Sequence, residues 1–292
     1  MANASITTLT NRSMQIKTLS DVPLEQILTV FNTAFSDYLV PLQLTPEQLE
    51  TKMKADGTEL SLSCGVFEDE KPVTFILHGM DSIKGQKIVY NGGTGVVPHK
   101  RGAGLTTKMY DFILPILRSK GIKKVVLEVI SNNVPAIKSY QRIGFETQRE
   151  LLYYKGDKLT ISSKNTASIK PLETYDWRLM ESFGDAKPTW QNSQKALSTV
   201  SSTNIALGAY LKGQLVGYVI FTPGSKRIQQ IAVKPEYRRL GIASQLLKSI
   251  VGQHGNYLSV INIDAKAKDL ISFFHKIGFA LQLKQFEMEL LL

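Results

Sequence analysis

The chain has 292 residues, 43% of them hydrophobic, with 35 Lys and Arg against 25 Asp and Glu for a formal charge of +10. That is enough apolar material for one large core or two ordinary ones. The single cysteine, Cys64, excludes an intramolecular disulfide framework and a clustered thiolate metal site, so no metal is expected and a reducing, cytoplasmic setting is. No stretch approaches the roughly 20 apolar residues that span a bilayer, and the amino terminus has no basic segment followed by an apolar run, so the chain reads as neither membrane-bound nor exported. The positive balance would attract phosphates, but the bases are scattered rather than gathered in an arm, which argues against a nucleic-acid partner.

In chain order, Phe31 to Leu44 (FNTAFSDYLVPLQL) is an aromatic, proline-containing segment. GVFEDEKPVTFILHG and QKIVYNGGTGVV then read as strands of a meander, with a Glu-Asp-Glu-Lys turn in the first. After Gly104, Leu105, Met109, Phe112, Ile113, Ile116 and Leu117 recur at helical spacing, and Pro115 inside that pattern predicts a kink or an irregular turn. KKVVLEVIS is a buried strand, followed by a helix over Val134 to Arg142 with Asn133 as N-cap, Pro135 in the first turn and Gly144 as terminator. Residues 158–167 are polar, without a helical or convincing strand period, and read as a linker. Beyond it come a hairpin (AYLKGQLVGYVIF), a helix over Ile242 to Val251, a strand (NYLSVINID) and a helix over Lys268 to Lys276 ended by Gly278.

The second half repeats the order of the first, and the residues repeat with it. Pro98, Arg101 and Gly104 align with Pro235, Arg238 and Gly241, each 137 positions on; Gly144 and Phe145 align with Gly278 and Phe279, 134 positions on. Duplication with a small loop deletion explains both offsets. It divides the chain into residues 14–157 and 168–292, each a mixed α/β sheet joined by the linker.

In both halves a strand ends in Val-x-Pro, passes through Arg-x-x-Gly and enters a helix. Such a turn aims unpaired backbone N–H groups at one point with the helix dipole behind them, which makes an anion pocket. A single loop of this kind could be an ordinary strand-to-helix connection; two in equivalent places are harder to dismiss. Neither is a Walker A loop, and neither carries Gly-x-Gly-x-x-Gly.

These loops resemble the acetyl-CoA diphosphate loop of the GNAT (GCN-related N-acetyltransferase) superfamily, Arg/Gln-x-x-Gly-x-Gly/Ala. Arg238, Arg239, Leu240, Gly241, Ile242 and Ala243 match it in full; Arg101, Gly102, Ala103, Gly104, Leu105 and Thr106 match except at Thr106. A second family block, Asn-x-x-Ala-x-x-x-Tyr-x-x-x-Gly-Phe, is met by Asn133, Ala136, Tyr140, Gly144 and Phe145, whereas the other half has Ala267, Leu270 and Phe274. The resemblance implies two tandem GNAT-like folds, each a mixed, mostly antiparallel sheet flanked by helices. It also implies direct transfer of an acetyl group from acetyl-CoA to a primary amine, on a small molecule or a peptide.

By the same resemblance, Val96, Val97, Arg101 to Thr106, Asn133, Ala136 and Tyr140 contact the acyl donor, and Tyr140 protonates the leaving thiolate. Asn133, Ala136 and Tyr140 share one helix face; a half-buried core aromatic is the alternative for Tyr140. Val233, Arg238, Arg239, Gly241, Ile242 and Ala243 form a second donor loop in a copy without the phenol, which makes the amino-terminal copy the expected catalyst. That second copy could shape the acceptor site, bind acyl-CoA as a regulator, or transfer without a phenol. Glu128 is the candidate base, with Asn91 and His78 nearby on strands and a solvated or structural role open for each. Asp37 and Tyr38 could receive the amine, or cap a helix end.

Overall fold

In the computed structural model, residues 14–38, 42–164, 166–184 and 186–292 are described. They form two compact units, the first made of residues up to 53 with 58–123 and Leu292, the second of 54–57 with 124–291.

The first unit contains strand β1 (Met14–Thr18), helices α1 (Leu24–Ala34) and α2 (Pro46–Asp56, its last turn counted with the second unit), strands β2 (Cys64–Glu68), β3 (Lys71–Pro72), β4 (Thr74–Ile83) and β5 (Gln86–Val96), and helix α3 (Leu105–Ser119). The sheet runs β1-β2-β4-β5, with β3 on β2, and its pairings are antiparallel. Asp69 and Glu70 turn the chain at positive φ where the Glu-Asp-Glu-Lys turn is expected, and Lys84 and Gly85 do the same between β4 and β5. On one face α1 buries Ile27, Val30, Phe31 and Ala34 among Phe67, Phe75 and Leu77. Helix α3 buries Leu105, Met109, Tyr110, Ile113, Leu114 and Leu117. Pro115 does not interrupt α3: it and Asp111, whose carbonyl loses its helical donor, are both exposed, so water can satisfy that carbonyl.

The second unit contains β6 (Lys124–Ile130), α4 (Val134–Ile143), β7 (Glu146–Gly156), β8 (Ser168–Pro171), α5 (Trp177–Glu181), α6 (Gln194–Thr199), β9 (Ile205–Leu211), β10 (Gln214–Thr222), β11 (Arg227–Val233), α7 (Ile242–His254), β12 (Leu258–Asp264), α8 (Lys268–Lys276) and β13 (Ala280–Leu291). Its strand order is β6-β13-β7-β12-β11-β10-β9-β8; β11 and β12 run parallel and the other described pairings antiparallel. Helices α7 and α8 cover one face through Leu246, Leu247, Ile250 and Phe274, and α5 and α6 contribute Met180 and Leu197 to the other.

This order exchanges strands between the repeats. β6 and β12 are equivalent, and so are β7 and β13, yet β13 pairs between β6 and β7 while β7 pairs between β12 and β13. The last strand of each repeat therefore fills the gap between the last two strands of the other. The register is self-complementary, as in a two-fold interface: Ala280 faces Lys155 and, at the equivalent pair, Glu289 faces Glu146. Ile130 opposite Gln285 is likewise matched by Leu151 opposite Asp264.

A row of charge crosses these exchanged strands. Glu128, Glu287 and Arg149 lie side by side on β6, β13 and β7. Arg149 grips Glu287 with Nε and Nη2, both at 2.8 Å, and reaches Asp264 at 3.1 Å and the Lys187 carbonyl at 2.7 Å. Burial alone would lower the Arg149 pKa; the two carboxylates more than reverse this and hold it above the ordinary value.

Candidate active site

The two glycine loops share one construction. In the first unit, β5 leads through the tight turn Pro98–Lys100 to Arg101 and then to Gly102 and Gly104, both left-handed with φ of 79° and 69°. Gly104 stands at the N-cap of α3, and a Cβ built at either glycine meets nothing within 4 Å. The glycines thus answer to backbone conformation, and the space over the loop stays open. Among the described residues, the backbone N–H groups of residues 102–107 find no acceptor, as expected where a helix begins without a side-chain cap.

In the second unit, β11 leads through Pro235–Tyr237 and Arg238 to Arg239, left-handed at φ 64°, and Gly241, left-handed at φ 83° and N-cap of α7. The N–H groups of residues 239–244 also lack acceptors among the described residues. The linker lies against this loop: Thr166 Oγ1 donates to the Leu240 carbonyl at 2.9 Å, and the Thr166 and Ala167 amides both donate to Gln245 Oε1 at 3.1 Å.

The motif arginines brace these loops. Arg101 Nε donates to the Val96 carbonyl at 3.2 Å and Nη2 to the Ala34 carbonyl at 2.9 Å; Arg238 repeats the pattern with Val233 at 3.0 Å and Phe183 at 2.9 Å. Arg101 also holds Asp37 through two hydrogen bonds of 2.8 and 2.7 Å. That bond keeps the Asp37 carboxyl below the usual carboxylate range. Asp37, read from the sequence as an amine receiver or a cap, is thus engaged by the loop arginine at the end of α1, and Tyr38 stacks edge-on to Phe35 with ring centres 5.0 Å apart.

Glu128, Asn133, Ala136 and Tyr140 fall in the second unit. Asn133 caps α4 by accepting from the Ala136 amide at 3.3 Å, and Gly144, with φ 105°, ends the helix. Tyr140 is 8% exposed and meets Phe145 edge to face at 5.5 Å. Phe274 and Phe279 repeat that contact at 4.9 Å. Glu128 is half-buried on β6, directly across from Glu287.

In the second copy, β11 and β12 pair only at Arg227–Ser259 and Ile228–Val260. Beyond that short ladder the chain's own polar groups knit the two strands to residues 189–192. Gln230 donates to the Asn192 carbonyl at 2.6 Å, Asn192 to the Ile261 carbonyl at 3.4 Å, and Asn262 to Thr189 Oγ1 at 3.2 Å.

His78 belongs to the first unit's interior. It is fully buried; its Nδ1–H donates to the Leu62 carbonyl at 2.7 Å, and Nε2 has no hydrogen-bond partner among the described residues. Asn91, its cross-strand neighbour, donates to Tyr110 at 2.8 Å and Thr94 at 2.7 Å. Burial pulls the His78 pKa down to about 4, against the smaller opposing effect of Leu62. The unfolded chain therefore takes up a proton that the folded chain resists. The full stability is present above pH 6.5, and about 3 kcal/mol should be lost as pH falls from 6.5 to 4. Urea unfolding across that range checks this, with the loss expected to shrink in His78→Gln.

Residues 25–145 match the model described as "Acetyltransferase (GNAT) family", and residues 202–281 match "Acetyltransferase (GNAT) domain". A 59-residue stretch is 32% identical to N-alpha-acetyltransferase 30 of Schizosaccharomyces pombe, covering 20% of this chain and 39% of that relative's length. Among solved structures, a tandem GNAT protein from the clavulanic acid biosynthesis pathway superimposes with a TM-score of 0.71 at 13% identity, over 96% of this chain and 98% of that one. A putative acetyltransferase from Pyrococcus horikoshii gives 0.69 at 14% identity, over 100% and 94%. No helix among the described residues is long and apolar enough to cross a membrane. With one family match in each half and a mostly antiparallel mixed sheet flanked by helices, the chain belongs to the GNAT superfamily as a tandem member.

Proposed function

We propose that this protein transfers an acetyl group from acetyl-CoA to a primary amine of a small molecule or peptide, in the cytoplasm, and that its amino-terminal copy is the catalyst. The copies are taken as residues 14–157 and 168–292, joined by 158–167. The observation that carries the reading is the first loop: six successive N–H groups without an acceptor among the described residues, opened by two left-handed glycines at the start of a 15-residue helix. That donor set fits a diphosphate.

Acetyl-CoA supplies a thioester carbonyl. The amine nitrogen attacks that carbon, the C–N bond forms as the C–S bond breaks, and the pantetheine sulfur leaves with the electron pair. On this reading Gly102 to Thr106 hold the diphosphate, Val96 and Val97 lie along the pantetheine arm, and Arg101 keeps the loop in shape. Asn133 and Ala136 set the start of α4. Tyr140 gives its phenolic proton to the departing sulfur, and Glu128, directly or through water, takes the proton lost by the amine. Asp37 and Tyr38 face the acceptor side.

The second loop, with Val233, Arg238, Arg239, Gly241, Ile242 and Ala243, would hold a second acyl-CoA in a copy that does no chemistry. Phe274 brings no proton there, and Asn192, Gln230 and Asn262 tie β11 and β12 to the chain's own segment 189–192. The alternative is a protein that binds acyl-CoA as a sensor without turning it over. A thiol-release assay with a panel of amines separates the two: release that requires both protein and amine supports transfer, whereas saturable acetyl-CoA binding with no release under any amine supports the sensor.

A further inference from the structure

Away from both loops, the second unit holds a desolvated cation without a counter-charge among the described residues. Arg227 opens β11, and the strand registers place Thr222 of β10, Ser259 of β12 and Lys155 of β7 in one row with it. The row lies on the face opposite Ile228, Val260 and Tyr154, which belong to the core under α7. Tyr153 precedes Lys155 by two residues and shares its face.

Burial pulls the Arg227 pKa below its ordinary value, with Tyr153 opposing. Its Nε is wholly buried and meets no acceptor among the described residues. The residue as a whole remains partly exposed. No carboxylate among the described residues forms an ion pair with Arg227 or Lys155. Lys155 has Tyr153 and Tyr257 beside it instead; its Nζ is 5.5 Å from the Tyr153 ring centre, and hydrogen bonding to Tyr153 above all holds its ammonium charged. The contrast is Arg149 on the same sheet, another desolvated guanidinium, which two carboxylates and a carbonyl satisfy. A desolvated guanidinium left without acceptors is costly, and its planar donor fork fits a carboxylate or a phosphate.

We propose that Arg227, with Lys155 and the phenols of Tyr153 and Tyr257, forms a second anion site that takes a phosphate or carboxylate group. Six residues of strand, about 20 Å, separate Arg227 from Val233 at the entrance to the second loop, so this anion is not the diphosphate held there. The inference does not depend on acyl transfer.

Side-chain Nε–H resonances of the arginines, followed by NMR in the full-length protein at constant ionic strength, test it. The Arg227 signal is assigned by its loss in Arg227→Lys. Titration with inorganic phosphate, and separately with acetate, should move that signal saturably; the anion with the lower midpoint names the ligand class. The midpoint should stay in place when both loops carry Gly→Glu changes at 104 and 241, and should weaken about tenfold in Lys155→Met. A signal that neither anion moves overturns the site, and so does a response that disappears in the loop variants.

Discussion

Tyr140→Phe should lower turnover roughly 100- to 10,000-fold, the range a positioned general acid supplies, while leaving acetyl-CoA affinity nearly unchanged. The fold itself provides the control. Phe274 occupies the equivalent place on α8 and meets Phe279 as Tyr140 meets Phe145, at 4.9 against 5.5 Å, so a phenyl ring suits this packing. The substitution keeps the ring and removes the hydroxyl, and the melting temperature should hold. Steady-state kinetics with thiol detection, read as kcat apart from KM, checks it. An unchanged kcat would take Tyr140 out of the proton-donor role, and a fall in affinity with kcat intact would make it a binding residue.

A chain ending at Asp157 should not give a folded monomer, although it contains one whole repeat. Strand β13 pairs with seven residues of β6 and nine of β7, and without it both strands present bare edges. Met288 and Leu290, both buried, leave with it. The self-complementary register of β7 and β13 offers an escape: two truncated chains can place β7 of each beside β7 of the other. Aggregate or dimer is thus the expected product, and residues 158–292 supplied as a separate chain should restore a soluble heterodimer. Sedimentation with far-UV circular dichroism distinguishes these states. A stable monomeric fragment would mean that the strand exchange is dispensable.

The elements that were legible in the sequence are those written by local chemistry. Asn133 and Gly144 bracket α4, whose end came one residue beyond Arg142, and the helix read over Lys268 to Lys276 is α8 without adjustment. The turn at Asp69 and Glu70 and both loop glycines also act through their own backbone. The strand exchange had no such signal. Offsets of 134 residues tell which strands are equivalent, and leave unsaid which copy of an equivalent pair fills a given slot.

Pro115 sits inside an unbroken helix for a related reason. A proline costs a helix most where the freed carbonyl is buried, and exposure at Asp111 is a tertiary fact. The Arg-x-x-Gly spacing located both loops, but it could not show that Arg101 is occupied by the Val96 and Ala34 carbonyls and Asp37, which lies 64 positions away. Arg149, with partners at 187, 264 and 287, was invisible to any reading by local pattern.

The central claim, that the amino-terminal loop is the working acyl-donor site, is tested most directly by calorimetric titration of acetyl-CoA into the wild-type protein, Gly104→Glu and Gly241→Glu. Each change puts a carboxylate and a strained left-handed backbone at one helix N-terminus, where a Cβ meets nothing within 4 Å. Thiol release measured on the same samples should be abolished by Gly104→Glu together with one class of binding, and should survive Gly241→Glu. Turnover lost only in Gly241→Glu would contradict the account and move the chemistry to the second copy.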